Sequence, residues 1–361
     1  MNIPVIVTIV GARPQFIKAV ALSKALEKMR IKEIIIHTGQ HYDYEMSQIF
    51  FDTLGLKEPK YHLEIGSLSH GAQTGRMVEK IEEVLLKEKP KGVIVYGDTN
   101  STLAGALASV KLHIPVFHIE AGLRSFNRTM PEEINRVLTD HISTLLFAPS
   151  DSAVRNLKKE GLQKGVYRTG DIMLDTYLMF KKKFEEHSKA ILKKYELKEK
   201  QYGIVTIHRE ENTNDKDKFN SILKGLEAIL KEGMKLIFPV HPRIRNIVPD
   251  NIEGLIITKP MSYLNTQALL SKSAVVLTDS GGIQKEAYFH KVPCVTLRNE
   301  TEWVELNKKG VNLVAGTSPD SIKKCFHKLM IKKLDFSEAL YGDGKSGKFI
   351  ANCIKSYLEE M

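Results

Sequence analysis

The sequence predicts an α/β protein with two Rossmann-like domains, each built on a doubly wound parallel sheet. Short apolar segments rich in valine and isoleucine recur along all 361 residues, as expected for parallel strands covered on both faces. Amphipathic helical patterns separate these segments, so strands and helices alternate from end to end. A lysine- and glutamate-rich stretch at residues 175–200 lacks a strand signal and divides the strands into two series. We therefore expect one domain at residues 1–169 and a second at residues 170–346.

Each series contains several strand candidates of similar length. In the first series they lie at residues 4–10, 33–39, 92–98, 114–120 and 144–150. In the second series they lie at residues 202–208, 235–241, 254–260, 274–280, 292–298 and 312–316. Helical patterns connect them, as where Leu22, Ala25, Leu26 and Met29 follow i, i+3, i+4, i+7 spacing. A last amphipathic segment at residues 349–360 indicates a closing helix.

Composition narrows the class of protein. The formal charge is +10, but the lysines are spread out and alternate with acids. A nucleic-acid partner is therefore disfavoured, while a small anionic substrate remains compatible. Apolar runs are only strand-length, and the first ten residues form a strand pattern, so neither a membrane span nor a signal peptide is predicted. Three widely spaced cysteines indicate reduced thiols in the cytoplasm and no zinc motif.

Charged and phosphate-compatible residues follow most of the predicted strands. In open α/β sheets, ligands bind beyond the carboxyl ends of the strands. These ends read GARPQFIK, GDTNST and HIEAGLRS in the first half, and IHREEN, VHPR, TDSGG and LRNETE in the second. The recurrence in both halves predicts a ligand cleft between the two domains.

A phosphate site is predicted where the strand before Asp279 ends. Ser280, Gly281 and Gly282 follow, and a helical pattern begins directly after them. Paired glycines allow the backbone to approach an anion, and a helix N-terminus offers free N–H groups. Glu286, in the same helix, could reach ribose hydroxyls. The alternative is that Ser280 only caps the helix.

Basic residues at other strand ends could meet the same phosphate. Arg13 and Lys18 follow the first strand, in a segment that lacks the GxGxxG dinucleotide fingerprint and so disfavours hydride transfer. Lys18 could instead be a solvated helix lysine. His208 and His241 each end an apolar strand, and Arg298 follows another.

We predict no metal site. Four residues could be imagined as metal ligands, namely His118, Glu120, His208 and Asp279. Their spacing in the sequence is not typical of a ligand set.

Several carboxylates are expected to converge in the first domain. Asp98 and Glu120 end consecutive strands, and Glu132 or Glu133 opens a helix that starts at Pro131. Crowded acids are suited to general acid/base catalysis. The alternative is a network of ion pairs that ties a loop to the domain through the three nearby arginines, which are Arg124, Arg128 and Arg136.

The motifs together resemble those of the non-hydrolysing UDP-N-acetylglucosamine 2-epimerases. The matching segments are GARPQFIK, YGDTNST, HIEAGLRS, PEEINR, HREEN, PVHP and TDSGGIQKEA, and the resemblance continues to YGDGKS near the C-terminus. It implies a glycosyltransferase-B-like fold in which the helix at residues 347–361 packs back on the first domain. It also implies an isomerase that interconverts UDP-GlcNAc and UDP-ManNAc through 2-acetamidoglucal, without a cofactor, as a cytoplasmic homodimer that supplies polysaccharide biosynthesis.

The resemblance assigns roles to individual residues. Asp98, Glu120 and Glu132 match the acids and bases of the family, and His208 matches the histidine near the diphosphate. Further matches are to residues that hold UDP, namely Arg13, Lys18, His241, Ser280, Gly281, Gly282, Glu286 and Arg298.

Two segments bear on details of the site. Gln40 and His41 match a motif near which bacterial members bind an activating substrate molecule. Residues 301–305 read TEWVE, where many bacterial members have a TERPE-like motif, which affects local contacts near UDP.

Three alternatives to the epimerase remain at this level. A hydrolysing relative would release UDP and free ManNAc, and only the products separate it from the epimerase. A glycosyltransferase of the same fold would need an acceptor site, which no sequence feature marks. A non-catalytic sugar-nucleotide sensor would have no need of Asp98, Glu120 and Glu132 together.

Overall fold

The computed structural model describes residues 3–40, 54–240, 242–249 and 251–361 of the chain. The chain divides into two compact units. The first consists of Met1–Leu178 together with Ala339–Met361, and the second is Met179–Glu338. The division falls inside a helix, Ile172–Lys194, whereas the sequence pattern placed it just before this helix at residue 169. The cleft between the domains stays a prediction.

Within its described residues, the first unit contains a seven-stranded sheet in which all paired strands are parallel. Its strands are β1 (Val5–Val10), β2 (Lys32–His37), β3 (Tyr61–His62), β4 (Gly92–Tyr96), β5 (Val116–Ile119), β6 (Leu145–Ala148) and β7 (Val166–Arg168). Their order is β3-β2-β1-β4-β5-β6-β7. All five predicted strands are confirmed. The pattern missed β3 and β7, because two or three residues without an apolar run carry no strand period.

Helices surround this sheet and bury its apolar side chains. They are α1 (Arg13–Lys28), α2 (His70–Glu88), α3 (Asn100–Lys111), α4 (Pro131–Ile142), α5 (Asp151–Lys159) and α6 (Ile172–Lys194), and the closing helix α13 (Ser346–Glu359). Val7, Ile9 and Val93 of the sheet pack with Met77 and Ile81 of α2 in a core from which water is excluded. The closing helix α13 packs on α1, so the predicted return of the C-terminus is observed within the first unit.

The second unit has the same plan. The described strands are β8 (Tyr202–Thr206), β9 (Lys235–Pro239), β10 (Leu255–Thr258), β11 (Val275–Thr278), β12 (Cys294–Thr296) and β13 (Asn312–Val314), in the order β10-β9-β8-β11-β12-β13. Its helices are α7 (Glu210–Thr213), α8 (Lys216–Leu230), α9 (Tyr263–Lys272), α10 (Gly281–Phe289), α11 (Val304–Lys309) and α12 (Pro319–Ile331), with a 3₁₀ turn at Pro242–Ile247. All six predicted strands are confirmed.

Each sheet has one point where the strand order reverses direction. In the first unit it lies between β1 and β4, and in the second between β8 and β11. Connections leave such neighbouring strands toward opposite faces, which opens a crevice beyond their carboxyl ends. Of the residues that the sequence singled out, Arg13, Asp98, His208 and Ser280 follow the four strands at these reversals.

The helices of the described ranges include none that combines the length and the apolarity needed to cross a bilayer. The cytoplasmic location and the homodimer stay predictions.

A buried carboxylate anchors the closing helix. Asp175 of α6 is 4% exposed, and its Oδ1 accepts a hydrogen bond of 2.8 Å from the N–H of Gly347 in the first turn of α13. Gly347 suits this position, because a Cβ there would lie 3.1 Å from the carbonyl oxygen of Ala21. Burial raises the pKa of Asp175 to about 6, although hydrogen bonds from Gly347 and Ser346 oppose the shift.

This pKa predicts a pH-dependent stability. Between the ordinary value of 3.8 and about 6, the folded protein binds more protons at Asp175 than the unfolded chain, so stability falls as the pH rises through this window. We expect Asp175→Asn, which keeps an acceptor for Gly347, to remove this slope and to stabilise the protein above pH 6 by up to about 3 kcal/mol.

Urea unfolding from about pH 4 to pH 7 measures this effect. Asp151→Asn serves as the control, because the Asp151 side chain is 74% exposed. An Asp175→Asn protein that is less stable than wild type at neutral pH and keeps its slope would contradict the assignment.

Candidate active site

Lys18 and Glu120 form a buried ion pair at the carboxyl edge of the first sheet. Lys18 projects from α1, Glu120 follows β5, and their side chains are 7% and 9% exposed. The Glu120 backbone has a φ of +73°, a conformation that costs a non-glycine residue about 1–3 kcal/mol and that clusters at functional sites. Lys18 is therefore not a solvated helix lysine.

Gly97 follows β4 and lies against this pair. A Cβ at Gly97 would lie 3.1 Å from Glu120 Oε2 and 3.1 Å from Lys18 Nζ. The φ of Gly97 is also positive, at +64°. Both constraints favour glycine here.

Asp98, next in the chain, contacts Arg136 of α4. The guanidinium is 2% exposed and the carboxylate 29%. Arg136 Nη1 also donates a hydrogen bond of 3.0 Å to Glu133 Oε2. The sequence placed Arg136 near the acids but did not pair it with Asp98, since the two lie 38 positions apart.

Glu133 and Glu132, which the sequence left as alternatives, have different environments. Glu133 is 2% exposed and accepts hydrogen bonds from Ser125 N, Ser125 Oγ and Phe126 N at 2.9–3.0 Å. It therefore holds the loop before α4, as the ion-pair alternative anticipated. Glu132 is half-buried at the start of the same helix.

Gln15 links the strand-end loops of β1 and β4. Its Oε1 accepts hydrogen bonds from Gly11 N at 2.8 Å and Ala12 N at 3.0 Å. Its Nε2 donates to the carbonyl of Tyr96 at 2.9 Å and lies 3.0 Å from the hydroxyls of Thr99 and Thr102. The sequence analysis missed this residue, although a glutamine at the third helical position, from which its side chain can accept from the backbone before the helix, is a weak signal for it.

The other predicted residues of the first unit lie near this edge or outside the described ranges. Arg13 is half-buried at the first position of α1. Gln40 accepts hydrogen bonds from Ser101 N at 3.0 Å and Ser101 Oγ at 2.7 Å, which fixes it to the start of α3. His41, and His241 of the second unit, lie outside the described residues.

In the second unit, Asp279 organises the end of β8. It is completely buried after β11 and accepts hydrogen bonds from His208 N at 3.1 Å, Arg209 N at 3.0 Å and Asn212 Nδ2 at 3.1 Å. Its Oδ1 also lies 3.3 Å from Nδ1 of His208, whose side chain is 44% exposed. Asp279 therefore orients His208 and does not itself face solvent.

The loop after Asp279 leads into α10. Ser280 occupies the cap position of this helix, but its side chain makes no capping hydrogen bond, so the purely structural alternative for Ser280 is not observed. A Cβ at Gly281 would lie 2.2 Å from Glu302 Oε1, so any larger residue would force that buried carboxylate to move. Gly282 and Glu286 follow in the first two turns, with Glu286 4% exposed.

Arg298 follows β12 and is enclosed by acids. Its Nε lies 3.3 Å from Glu211, Nη1 lies 3.2 Å from Glu302, and Nη2 lies 4.0 Å from Glu300. Its side chain has no exposed surface. The acids around Arg298 come from two sides of the unit, which the sequence alone did not indicate.

The TEWVE segment forms a further buried contact. Trp303 lies over the ammonium of Lys285 in α10, with 4.1 Å between Nζ and the ring centroid. Both residues are almost completely buried, and such a cation–π contact is worth up to about 2 kcal/mol when desolvated.

The described residues contain no group of three or more His, Cys, Asp or Glu side chains that could hold a metal ion.

Two parallel sheets with charged residues beyond the strands at each reversal of strand order define the class of doubly wound α/β proteins that bind ligands at these strand ends. The family model for UDP-N-acetylglucosamine 2-epimerase matches residues 24–355. The chain belongs to this family of isomerases.

Relatives of known name cover the chain almost completely. A UDP-N-acetylglucosamine 2-epimerase homolog of Methanococcus maripaludis is 49% identical, over 97% of this chain and 99% of its own. A UDP-2,3-diacetamido-2,3-dideoxy-D-glucuronate 2-epimerase of Pseudomonas aeruginosa is 47% identical, over 96% of this chain and 98% of its own.

A solved structure supports the same fold. The UDP-GlcNAc 2-epimerase of Methanocaldococcus jannaschii, in complex with UDP-GlcNAc and UDP, has a TM-score of 0.93 at 42% identity and covers 98% of this chain and 99% of its own. The predicted fold class, glycosyltransferase-B-like with two Rossmann-like parallel-sheet units, is confirmed.

We predict that the Gln15 amide is required for stability of this edge. Gln15→Glu would place a carboxylate oxygen against the carbonyl of Tyr96, so we expect a loss of about 1–3 kcal/mol in the free energy of unfolding. Chemical denaturation of this variant measures the loss. The same substitution at exposed Gln201 is the control and should change stability little. Equal stability of both variants would show that the amide hydrogen bonds are not needed.

Proposed function

We propose that the protein is a non-hydrolysing UDP-GlcNAc 2-epimerase, which interconverts UDP-GlcNAc and UDP-ManNAc. The observation that carries the proposal is the pair of acids at adjacent strand ends of the first unit, Glu120 against Lys18 and Asp98 against Arg136. A sensor has no need of acids held in this way. The related structure from Methanocaldococcus jannaschii, in complex with UDP-GlcNAc and UDP, supports the substrate.

The proposed reaction is balanced without an external oxidant or reductant. A base takes the proton from C2, the C2–H electrons form a C1=C2 double bond, and the C1–O bond breaks in an anti elimination that releases UDP. The intermediate is 2-acetamidoglucal. UDP then adds back to C1 while C2 receives a proton on its other face. The net change is an inversion at C2, so no redox cofactor enters the scheme.

The two faces of C2 require two acid/base groups. One carboxylate must remove the proton on one side, and another group must deliver a proton on the opposite side. We assign these roles to Asp98, Glu120 and Glu132, without deciding which is base and which is acid. Lys18 and Arg136 are suited to stabilise charge on Glu120 and Asp98, since each contacts its partner directly.

The leaving group determines the role of the second unit. UDP departs as an anion and must be retained for re-addition. Hydrogen-bond donors that are already oriented toward the diphosphate hold it better than solvent water does. We assign this role to His208, Ser280, Gly281, Gly282 and the N-terminus of α10, where backbone N–H groups and the helix dipole favour an anion. Further residues assigned to UDP are Arg13, Lys18, His241, Glu286 and Arg298.

Asp279 supports this assignment through His208. Its hydrogen bonds to the backbone of His208 and Arg209 fix the loop, and its contact with Nδ1 leaves Nε2 as the ring atom suited to the diphosphate.

A second candidate is the same inversion at C2 of UDP-2,3-diacetamido-2,3-dideoxy-D-glucuronate. It is favoured by the 47% identity to the Pseudomonas aeruginosa enzyme named for that substrate, compared with 42% to the Methanocaldococcus jannaschii enzyme. Both substrates share UDP and a 2-acetamido group, so the residues assigned to C2 and UDP serve either one.

Proton NMR of the purified protein with UDP-GlcNAc in D₂O tests the proposed function. We expect UDP-ManNAc with deuterium at C2, because the C2 proton exchanges with solvent during elimination and re-addition. Free ManNAc with UDP would instead indicate the hydrolysing reaction. A parallel sample with the diacetamido uronate gives the ratio of kcat/KM for the two substrates. If the protein turns over only the uronate, then the uronate and not UDP-GlcNAc is its substrate.

The acid/base assignment predicts the effect of two isosteric variants. We expect Asp98→Asn and Glu120→Gln each to lower kcat by about 100-fold or more, because proton transfer is lost while the UDP contacts remain. The measurements are the epimerisation rate and UDP binding by calorimetry. Glu79→Gln, at an exposed position of α2, is the control and should keep full activity. Normal turnover of both acid variants would refute the assignment.

A further inference from the structure

His118, in β5, lies between two hydrogen-bond acceptors. Its ring is completely buried. Nδ1 lies 2.7 Å from Asp140 Oδ1, and Nε2 lies 2.8 Å from the carbonyl oxygen of Gly97. A carbonyl oxygen can only accept, so Nε2 must carry a proton.

The proton on Nδ1 follows from the surroundings of Asp140. Its Oδ2 accepts hydrogen bonds from Gly122 N at 3.0 Å and from Arg124 Nη1 at 2.7 Å. Because Oδ2 accepts from a permanently charged guanidinium as well as from a backbone N–H, the carboxylate form of Asp140 is favoured. Asp140 is therefore an ionised acceptor, and Nδ1 must also donate. A histidine that donates from both ring nitrogens is an imidazolium cation.

The two ring hydrogen bonds reach both strand ends that carry the proposed acids. Both backbone groups of Gly97 are hydrogen-bonded. Its carbonyl oxygen accepts from His118 Nε2, and its N–H donates to the carbonyl of Ile119 at 2.9 Å. The next residue along the chain is Asp98. On the other side, Asp140 holds the N–H of Gly122, two positions after Glu120. Removing one ring proton would break one of these links.

We propose that His118 is a positioning residue that donates from both ring nitrogens, and that its two N–H groups hold the strand ends carrying Asp98 and Glu120 in their reactive arrangement. The proposal rests on the proposed function, since it concerns the acids assigned to C2. It assigns His118 no contact with substrate.

The charges around His118 explain how a buried cation is stable there. Asp140 of α4 faces it directly, Arg124 neutralises the second oxygen of Asp140, and Glu160 pairs with Arg124 through two hydrogen bonds of 2.7 Å. The remaining charged groups lie beyond these partners, namely His141 next to Glu160, the pair Asp98 and Arg136 after Gly97, and the pair Lys18 and Glu120 against Gly97. His118, Asp140, Arg124 and Glu160 together balance to zero charge.

Nitrogen-15 NMR of histidine-labelled protein tests the protonation state without any substrate. We expect both ring nitrogens of His118 to carry protons at pH 7, because each of them faces an acceptor. His290 is the internal control. It donates from Nε2 to Gln267 Oε1 at 2.8 Å, and desolvation lowers its pKa to about 3 with Lys200 and Lys181 nearby. His290 should therefore show one ring N–H at the same pH.

The functional part of the proposal is tested with Asp140→Asn. An amide removes the charged acceptor that joins His118 to Gly122, so the link to the strand end of Glu120 should weaken. We expect kcat to fall by about 100-fold with little change in KM, because the acids lose their arrangement while the UDP contacts remain. Asp175→Asn is the matched control, since it also replaces a buried aspartate that accepts a backbone N–H, and its kcat should match wild type.

A single ring N–H on His118 in the wild-type spectrum would overturn the proposal. A wild-type kcat in Asp140→Asn would also overturn it. Failure of the wild-type protein to turn over UDP-GlcNAc would refute the proposed function instead, and the NMR result on His118 would be unaffected.

Discussion

Parallel pairing is the constraint on which this protein depends. Parallel strands cannot be joined by tight hairpins, so each connection returns through a helix and every strand of a sheet ends at the same edge. In the first unit this rule brings the ends of β1, β4 and β5 together, although they lie far apart in the sequence. The side chains that follow these strands then share a small volume. In the second unit the same rule joins the ends of β8, β11 and β12.

Charged side chains gathered at one sheet edge are stable only when they are paired. A buried charge is costly unless an opposite charge and hydrogen bonds compensate it. The first unit places Lys18 against Glu120 and Arg136 against Asp98, and Arg124 together with His118 against Asp140. These contacts leave the acids fixed in position, which is the geometry that proton transfer requires.

The second unit uses a different device for the same purpose. Asp279 is buried and directs its oxygens at backbone N–H groups, so it shapes a loop that presents His208. Beside it, α10 begins with two glycines, and a Cβ at the first of them, Gly281, would lie 2.2 Å from Glu302 Oε1. In the proposed reaction, a preformed surface of this kind would suit UDP, the leaving group that has to be held and returned.

Local pattern determined the strands, the helices and the residues at strand ends. Eleven strands were predictable because a buried parallel strand is a continuous apolar run, and the motifs that follow them were sufficient to indicate the family. Only the short strands β3 and β7 lacked such a signal, because their formation depends on a neighbouring strand. The tertiary structure alone decided the partners of each side chain. Lys18 meets Glu120 across 102 positions, and Gln15 meets Tyr96 across 81, because strand order, which no local period encodes, sets these distances. For the same reason the residue pattern left Glu132 and Glu133 as alternatives, between which only the family resemblance chose, and gave no sign that His118 lies between two acceptors.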